Sequence, residues 1–262
     1  MIEKLLSIIP RNSKGSNAVR LRSHHLGSYA FNDGDVRKQI IDDHNFDGDL
    51  LNIFTNGCKH PVHKWHHYLP IYDKYFREFR DTPFRFLEIG VSQGGSIDMW
   101  REYFGDQAII YGIDINENCA SLNGQSGQIR IGSQSDESFL LKVVEEMGGL
   151  DVVLDDGSHK MKDITATLEI LFPLLNERGV YMIEDLHTSY LRKFGGGYWG
   201  KRNFFNYLRN VFDDVHSWYH YAPIKHPKVS DYCSSIHIYD SICVFERGKV
   251  VQPKHSVIQN ST

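Results

Sequence analysis

From residue 84 onward, the chain alternates short apolar runs with stretches whose apolar positions recur every three or four residues. Residues 84–90, 108–114, 128–132, 150–155 and 180–183 are the runs. Between them lie helical faces such as Ile97, Trp100 and Phe104, the set Phe139, Leu140, Val143, Val144 and Met147, and the set Ile164, Leu168, Leu171 and Leu175. Strands that lack polar alternation are covered by helices on both sides, so the rhythm predicts an α/β fold with a doubly wound, mostly parallel sheet. The last third changes character. Residues 215–221, 235–239 and 242–246 read as strands with no helix between the last two, which predicts an antiparallel C-terminal edge. Upstream, residues 63–80 place Trp65, Tyr68, Leu69, Tyr72, Tyr75, Phe76 and Phe79 on one helical face, with Pro70 in the first turn. Residues 1–60 are polar and weakly periodic, with short helices expected over 35–43 and 49–54. The expected division is therefore a helical N-terminal extension over 1–62, a main domain over 63–248 and a solvated tail over 249–262.

Composition narrows the partners. The 262 residues are 41% hydrophobic and 13% aromatic, enough for one large core. A formal charge of −4 leaves no broad cationic surface, so nucleic acid is not an expected partner. Cys58, Cys119, Cys233 and Cys243 lack zinc or disulfide spacing and read as reduced thiols of a cytoplasmic protein. The apolar run within residues 1–10 is too short for a signal-peptide core or a membrane span, and no membrane role is expected.

The chemistry concentrates after three of the strands. Asp155-Asp156-Gly157-Ser158-His159 follows one run and Glu184-Asp185 follows another. Like charges at neighbouring strand ends repel, and burying them unpaired costs several kcal/mol each. A hard divalent cation such as Mg²⁺ removes the conflict, and an adjacent histidine is suited to accept a proton. Strand alternation sends Asp155 and Asp156 to opposite sides, so one of them is expected at the metal and the other behind it or facing a donor. Solvated turn acids or helix caps are the alternative. Glu88-Ile-Gly90-Val-Ser-Gln-Gly94-Gly95 lies where open α/β sheets bind ligands, but its spacing differs from the dinucleotide fingerprint. It suits the amino-acid moiety of a methyl donor better than a pyrophosphate, a tight βα turn being the alternative. Asp114 ends the second run, where a ribose would be held. Ser133-Gln134 closes the third, near an adenine position, with Ser135 or Asp136 capping the next helix. His60, His63, His66 and His67 resemble a zinc cluster by number, yet no cysteine or carboxylate completes it.

Five blocks occur in order: Lys64-Trp65-His66-His67-Tyr68-Leu69-Pro70-Ile71-Tyr72, the segment 87–100, Tyr111-Gly112-Ile113-Asp114-Ile115, the segment 155–159, and 183–190. Together they resemble the metal-dependent sugar O-methyltransferases that methylate deoxysugars on macrolides. The resemblance implies a seven-stranded class I fold, S-adenosylmethionine as donor and Mg²⁺ as metal. It implies Asp156, Glu184 and Asp185 as metal ligands, with His159 as general base and Asp156 also catalytic. For the donor it implies the loop Glu88, Gly90, Gly94 and Asp114, and the donor set is completed by Ser96, Ile115, Ser133, Gln134, Asp155, Lys64 and Tyr68. Ser133 stands where relatives often carry an aspartate. The acceptor is expected to be a sugar hydroxyl on a nucleotide sugar, a polysaccharide or a glycosylated natural product, in a homo-oligomeric enzyme. A hydroxylase-like metal enzyme on the same fold and a non-catalytic donor-binding module are the competing readings. Loops over 186–214 and the N-terminal region are expected to shape the acceptor pocket, with Tyr190, Tyr198, Trp199 and Phe204 suited to stacking on a sugar.

Overall fold

Every strand expected between residues 84 and 183 forms in the computed structural model, which describes residues 34–259. The N-terminal run and most of the polar extension lie outside the described residues, as do the last three positions of the tail. In chain order the elements are α1 (Val36–His44), α2 (Asp49–Asn56), α3 (Leu69–Phe76), β1 (Arg85–Ile89), α4 (Gly95–Phe104), β2 (Ile109–Asp114), β3 (Gln128–Ile131), α5 (Glu137–Met147), β4 (Val152–Asp155), α6 (Met161–Leu171), β5 (Val180–Ile183), α7 (Phe204–Val215), α8 (Pro227–Ser230), β6 (Cys233–Ile238) and β7 (Cys243–Arg247). The seven strands form one sheet in the order β3-β2-β1-β4-β5-β7-β6. β1 to β5 are parallel, and β7 runs antiparallel to both β5 and β6, as the closing pair of strand patterns predicts.

Strand alternation sorts the core into two layers. Phe86 of β1, Val152 and Leu154 of β4, and Val180 and Met182 of β5 face the layer built by α2, α3 and α4, where Phe76, Trp100 and Phe104 are fully buried. Leu87, Ile89, Val153, Tyr181 and Ile183 face the opposite layer, with Leu140 of α5, Leu168 of α6 and Leu208 of α7. Strand order reverses between β1 and β4, each neighbouring the other, so the crevice lies at their carboxyl ends. α1 and α2, placed in the extension by composition, bury Ile40, Leu50, Leu51 and Ile53. Described residues from Arg37 onward belong to one compact unit.

Two expectations are corrected. Residues 215–221 are not a strand, because α7 runs to Val215 and a 3₁₀ turn over Ser217–Tyr219 follows. The α7 face of Phe204, Leu208 and Val211, spaced i, i+4, i+7, is buried and makes a helix of a stretch read as loop. The second correction concerns 63–80. Trp65 is extended (φ −68°, ψ 139°), a 3₁₀ turn covers His66–Tyr68, and the α-helix starts at Leu69 with Pro70 in its first turn.

Candidate active site

The same alternation that sorts the core aims the acids. Glu88 continues the Phe86 face of β1, Asp156 the Val152/Leu154 face of β4, and Glu184 the Val180/Met182 face of β5. All three carboxylates thus enter one layer, and one ammonium meets them. Lys64 Nζ lies 2.7 Å from Asp156 Oδ2, 2.9 Å from Glu184 Oε1, 3.1 Å from Glu184 Oε2 and 3.9 Å from Glu88 Oε1. Burial alone would lower the lysine's pKa, but Asp156, Glu184 and Glu88 outweigh it and hold the ammonium well above its ordinary value. Glu88 has no solvent exposure, and burial pushes its pKa up to about 7 against the opposing pull of Lys64. It accepts from Ser96 Oγ at 2.8 Å and Trp100 Nε1 at 3.2 Å, fixing the start of α4. Burial and the Asp156 charge raise Glu184 well above the carboxylate range, with Lys64 opposing.

Asp155 points the other way, as alternation requires. It is 2% exposed, accepts from Tyr181 Oη at 3.0 Å and Gln134 Nε2 at 3.2 Å, and burial lifts its pKa to about 7. Gln134 Oε1 in turn accepts from the Ser158 amide at 2.7 Å. The pair therefore holds the loop after β4 from behind, which makes Asp155 a support for that loop and gives Gln134 a bracing role that spacing did not reveal.

Asp185 and His159 both adopt a left-handed backbone, each with φ 55°. Tyr68 Oη donates to Asp185 Oδ1 at 2.8 Å and Trp65 Nε1 donates to the same oxygen at 3.1 Å, leaving Oδ2 toward His159. Asp156, His159 and Asp185 each offer one ligand atom within 4.8 Å of the others, the one such metal-capable group among the described residues. His159 Nε2 is 3.7 Å from Asp185 and 3.9 Å from Asp156, beyond hydrogen-bond length from either. Glu184, the third carboxylate implied by the resemblance, turns both oxygens to Lys64 and is not in this group. The histidines at 60, 63, 66 and 67 form no such group; His60 Nδ1 is 2.8 Å from Asp98 Oδ2 and His67 Nε2 is 3.1 Å from the Asp240 carbonyl.

Two cavities meet here. One of about 400 Å³ is bounded by Lys64, Trp65, Gly90, Ser96, Asp156 and His159, with Glu184 and Asp185 at its base. A second of about 220 Å³ lies over Asp114, Ile115, Ser133, Gln134 and Ser158, and shares Gly90 and Gly157 with the first. Together they track the carboxyl ends of β1 to β4, with hydroxyls, amides and acids along them. The expected donor positions divide by role. Ile115 is 76% exposed and, with Ser133, edges the smaller cavity. Asp114 Oδ2 accepts from the Val91 and Ser92 amides at 2.9 and 3.0 Å, pinning the glycine loop. Tyr68 is buried against Asp185 and lines neither cavity, and Glu88 lies beneath the surface of the site.

The glycines fit the protein as much as any ligand. A Cβ on Gly90 would lie 2.2 Å from the Asp156 carbonyl oxygen, and one on Gly95 would lie 2.1 Å from that of Pro61. Gly94 caps α4 with φ 89°. The extended segment before Trp65 thus crosses the glycine loop in close contact, which carries Lys64 into the acids. No sequence pattern announces that crossing. The indication available was a single lysine beside tryptophan and tyrosine, in a chain with four acids to neutralise at the strand ends.

No protein-family model matches the chain. It is 32% identical over 214 residues to the 8-demethyl-8-(2-methoxy-alpha-L-rhamnosyl)-tetracenomycin-C 3'-O-methyltransferase of Streptomyces olivaceus, covering 77% of this chain and 54% of that protein. It is 37% identical over 156 residues to the demethylmacrocin O-methyltransferase of Streptomyces fradiae, covering 56% and 38%. Among solved structures, the MycE methyltransferase of the mycinamycin biosynthetic pathway, in complex with Mg and SAH, superposes with a TM-score of 0.69 at 27% identity over 78% of this chain and 55% of that one. The chain spans about half the length of the curated relatives it matches. It is a relative of these O-methyltransferases and has their α/β fold.

Proposed function

We propose that this relative of the O-methyltransferases of glycosylated natural products is itself an S-adenosylmethionine- and Mg²⁺-dependent O-methyltransferase acting on a sugar hydroxyl. The observation that carries the reading is the convergence of Asp156, Asp185 and His159 at the switch point of the sheet, beside a cavity of about 400 Å³. A cavity of that size is within the usual range for small ligands, roughly 300–1,000 Å³. Asp156 and Asp185 would hold the metal, with Glu184 behind them. This oxygen-rich set suits Mg²⁺ and argues against the two-histidine, one-carboxylate set of a redox hydroxylase. The glycine loop, Ser96, Asp114, Ile115, Ser133 and Gln134 would hold the donor, as the likeness to a structure containing SAH supports.

A sugar hydroxyl holds its proton too tightly to attack at neutral pH. Chelation by a divalent ion would supply the positive charge that stabilises the developing alkoxide. His159 Nε2, not hydrogen-bonded to Asp156 or Asp185, would take the proton as the hydroxyl oxygen accepts the methyl group and S-adenosylhomocysteine is left. Trp65 and Tyr68 hold Asp185 Oδ1, which fixes the carboxylate with its other oxygen 3.7 Å from His159 Nε2. Segment 61–65 packs on the glycine loop beside the cavity and would help to keep water from the reacting atoms. The acceptor belongs to the class of sugars on nucleotides, polysaccharides or natural products. The exposed rings of Tyr190, Tyr198 and Trp199 support contact with an apolar partner, whether an aglycone or a second copy in a homo-oligomer. The four free cysteines support a reducing, cytoplasmic setting.

His159→Ala provides the test. Turnover should fall by about 10²-fold or more, the usual contribution of a positioned base, while calorimetry shows S-adenosylmethionine affinity close to that of the parent chain. Retained turnover would remove His159 from the base role, and absence of donor binding by the parent chain would remove the methyltransferase reading.

A further inference from the structure

Lys64 brings a fixed positive charge into the place where a metal is expected. Its side chain is 2% exposed, against 24% for Asp156 and 2% for Glu184, so water screens the three charges poorly. Asp156 is shared: Oδ2 accepts from the ammonium at 2.7 Å, while Oδ1 faces His159 and the Asp185 side. Glu184 gives both oxygens to the ammonium. The acid cluster therefore has an inner half neutralised by the protein's own cation and an outer half, Asp156 Oδ1 and Asp185 Oδ2, that offers ligands to an external one. The inner half reaches the donor side through Glu88, whose carboxylate is 3.9 Å from the same ammonium and holds Ser96 at the start of α4.

We propose that Lys64, held by Asp156 and Glu184, is a built-in cation that stands against a divalent ion at Asp156 and Asp185: it keeps the acid cluster assembled before metal arrives and, by like-charge repulsion, weakens metal binding so that the ion is held reversibly. The inference rests on the metal reading of the site. Lys64 is a positioning residue; it need not touch donor or acceptor. Removing a unit charge a few ångströms from the metal while leaving the acids in place strengthens their attraction for the ion. Its replacement also leaves buried carboxylates without a counter-charge, a burden that bound metal relieves.

The test is Mn²⁺ titration of the full chain at pH 8, followed by calorimetry and electron paramagnetic resonance, for the parent, Lys64→Met, Lys64→Gln and Lys64→Arg. Both neutral variants should bind Mn²⁺ about tenfold tighter or more, and Lys64→Arg should stay within about threefold of the parent. In EDTA the neutral variants should melt below the parent, and millimolar Mn²⁺ should close most of that gap. Neutral variants with unchanged or weaker Mn²⁺ affinity would overturn the proposal. So would an arginine variant that behaves like them, since charge rather than shape is claimed, and so would neutral variants that remain unfolded in excess Mn²⁺. A parent chain that binds no Mn²⁺ would instead strike the metal reading itself, and the inference with it.

Discussion

Glu88 shows how a single residue of this site sets its own pH dependence. Its carboxyl is fully buried beside Ser96 and Trp100, and burial, opposed by Lys64, raises its pKa from 4.5 to about 7. Between those two values the native chain keeps a proton that the unfolded chain has released. This group's contribution to stability is therefore complete below pH 4.5, declines as pH rises, and is lost above about 7. Glu88→Gln removes the slope. It should gain on the parent by up to about 3 kcal/mol between pH 4.5 and 8, read from urea midpoints at each pH. A parallel pair of profiles would show that Glu88 is not the residue responsible. Such a role could not be read from the sequence, where Glu88 stood as a donor contact ahead of the glycines. Asp156 and Asp155 were different: their opposite faces followed from period two alone, and the structure separates them accordingly.

Among the elements, the glycine loop is held by its neighbours from two sides. Gly90 abuts the Asp156 carbonyl across β1 and β4, and Gly95 abuts that of Pro61. Gly95→Ala should cost about 1–3 kcal/mol in urea unfolding, because backbone rather than a flexible side chain must give way. A change of a few tenths would mean that segment 57–65 sits looser than described. The strands were legible because nearly unbroken apolar runs leave few alternatives, and β1 to β5 fall where they were expected. Residues 215–221 resemble a half-buried strand because aromatic and polar positions are interleaved there, while the helical spacing of Phe204, Leu208 and Val211 just upstream belongs to α7, which runs to Val215. The crossing of 61–65 over the glycine loop was hidden for another reason: it is a tertiary contact between segments about 30 residues apart, with no periodicity of its own.

At the scale of the whole molecule, sheet order and strand alternation together do most of the functional work. The order β2-β1-β4-β5 brings the ends of β1, β4 and β5 side by side, and the period of two aims Glu88, Asp156 and Glu184 into one layer. No helix among the described residues is long and apolar enough to cross a membrane. The most direct test of the account is methyl transfer from S-adenosylmethionine to a panel of nucleotide sugars and deoxysugar glycosides, followed by mass spectrometry with Mg²⁺, with excess EDTA, and after Mg²⁺ is restored. A methylated sugar is expected with Mg²⁺, loss of product in EDTA, full recovery on adding Mg²⁺ back, and little product from Asp156→Asn or Asp185→Asn under any condition. Methylation that continues undiminished in EDTA, or that survives both substitutions, would contradict it.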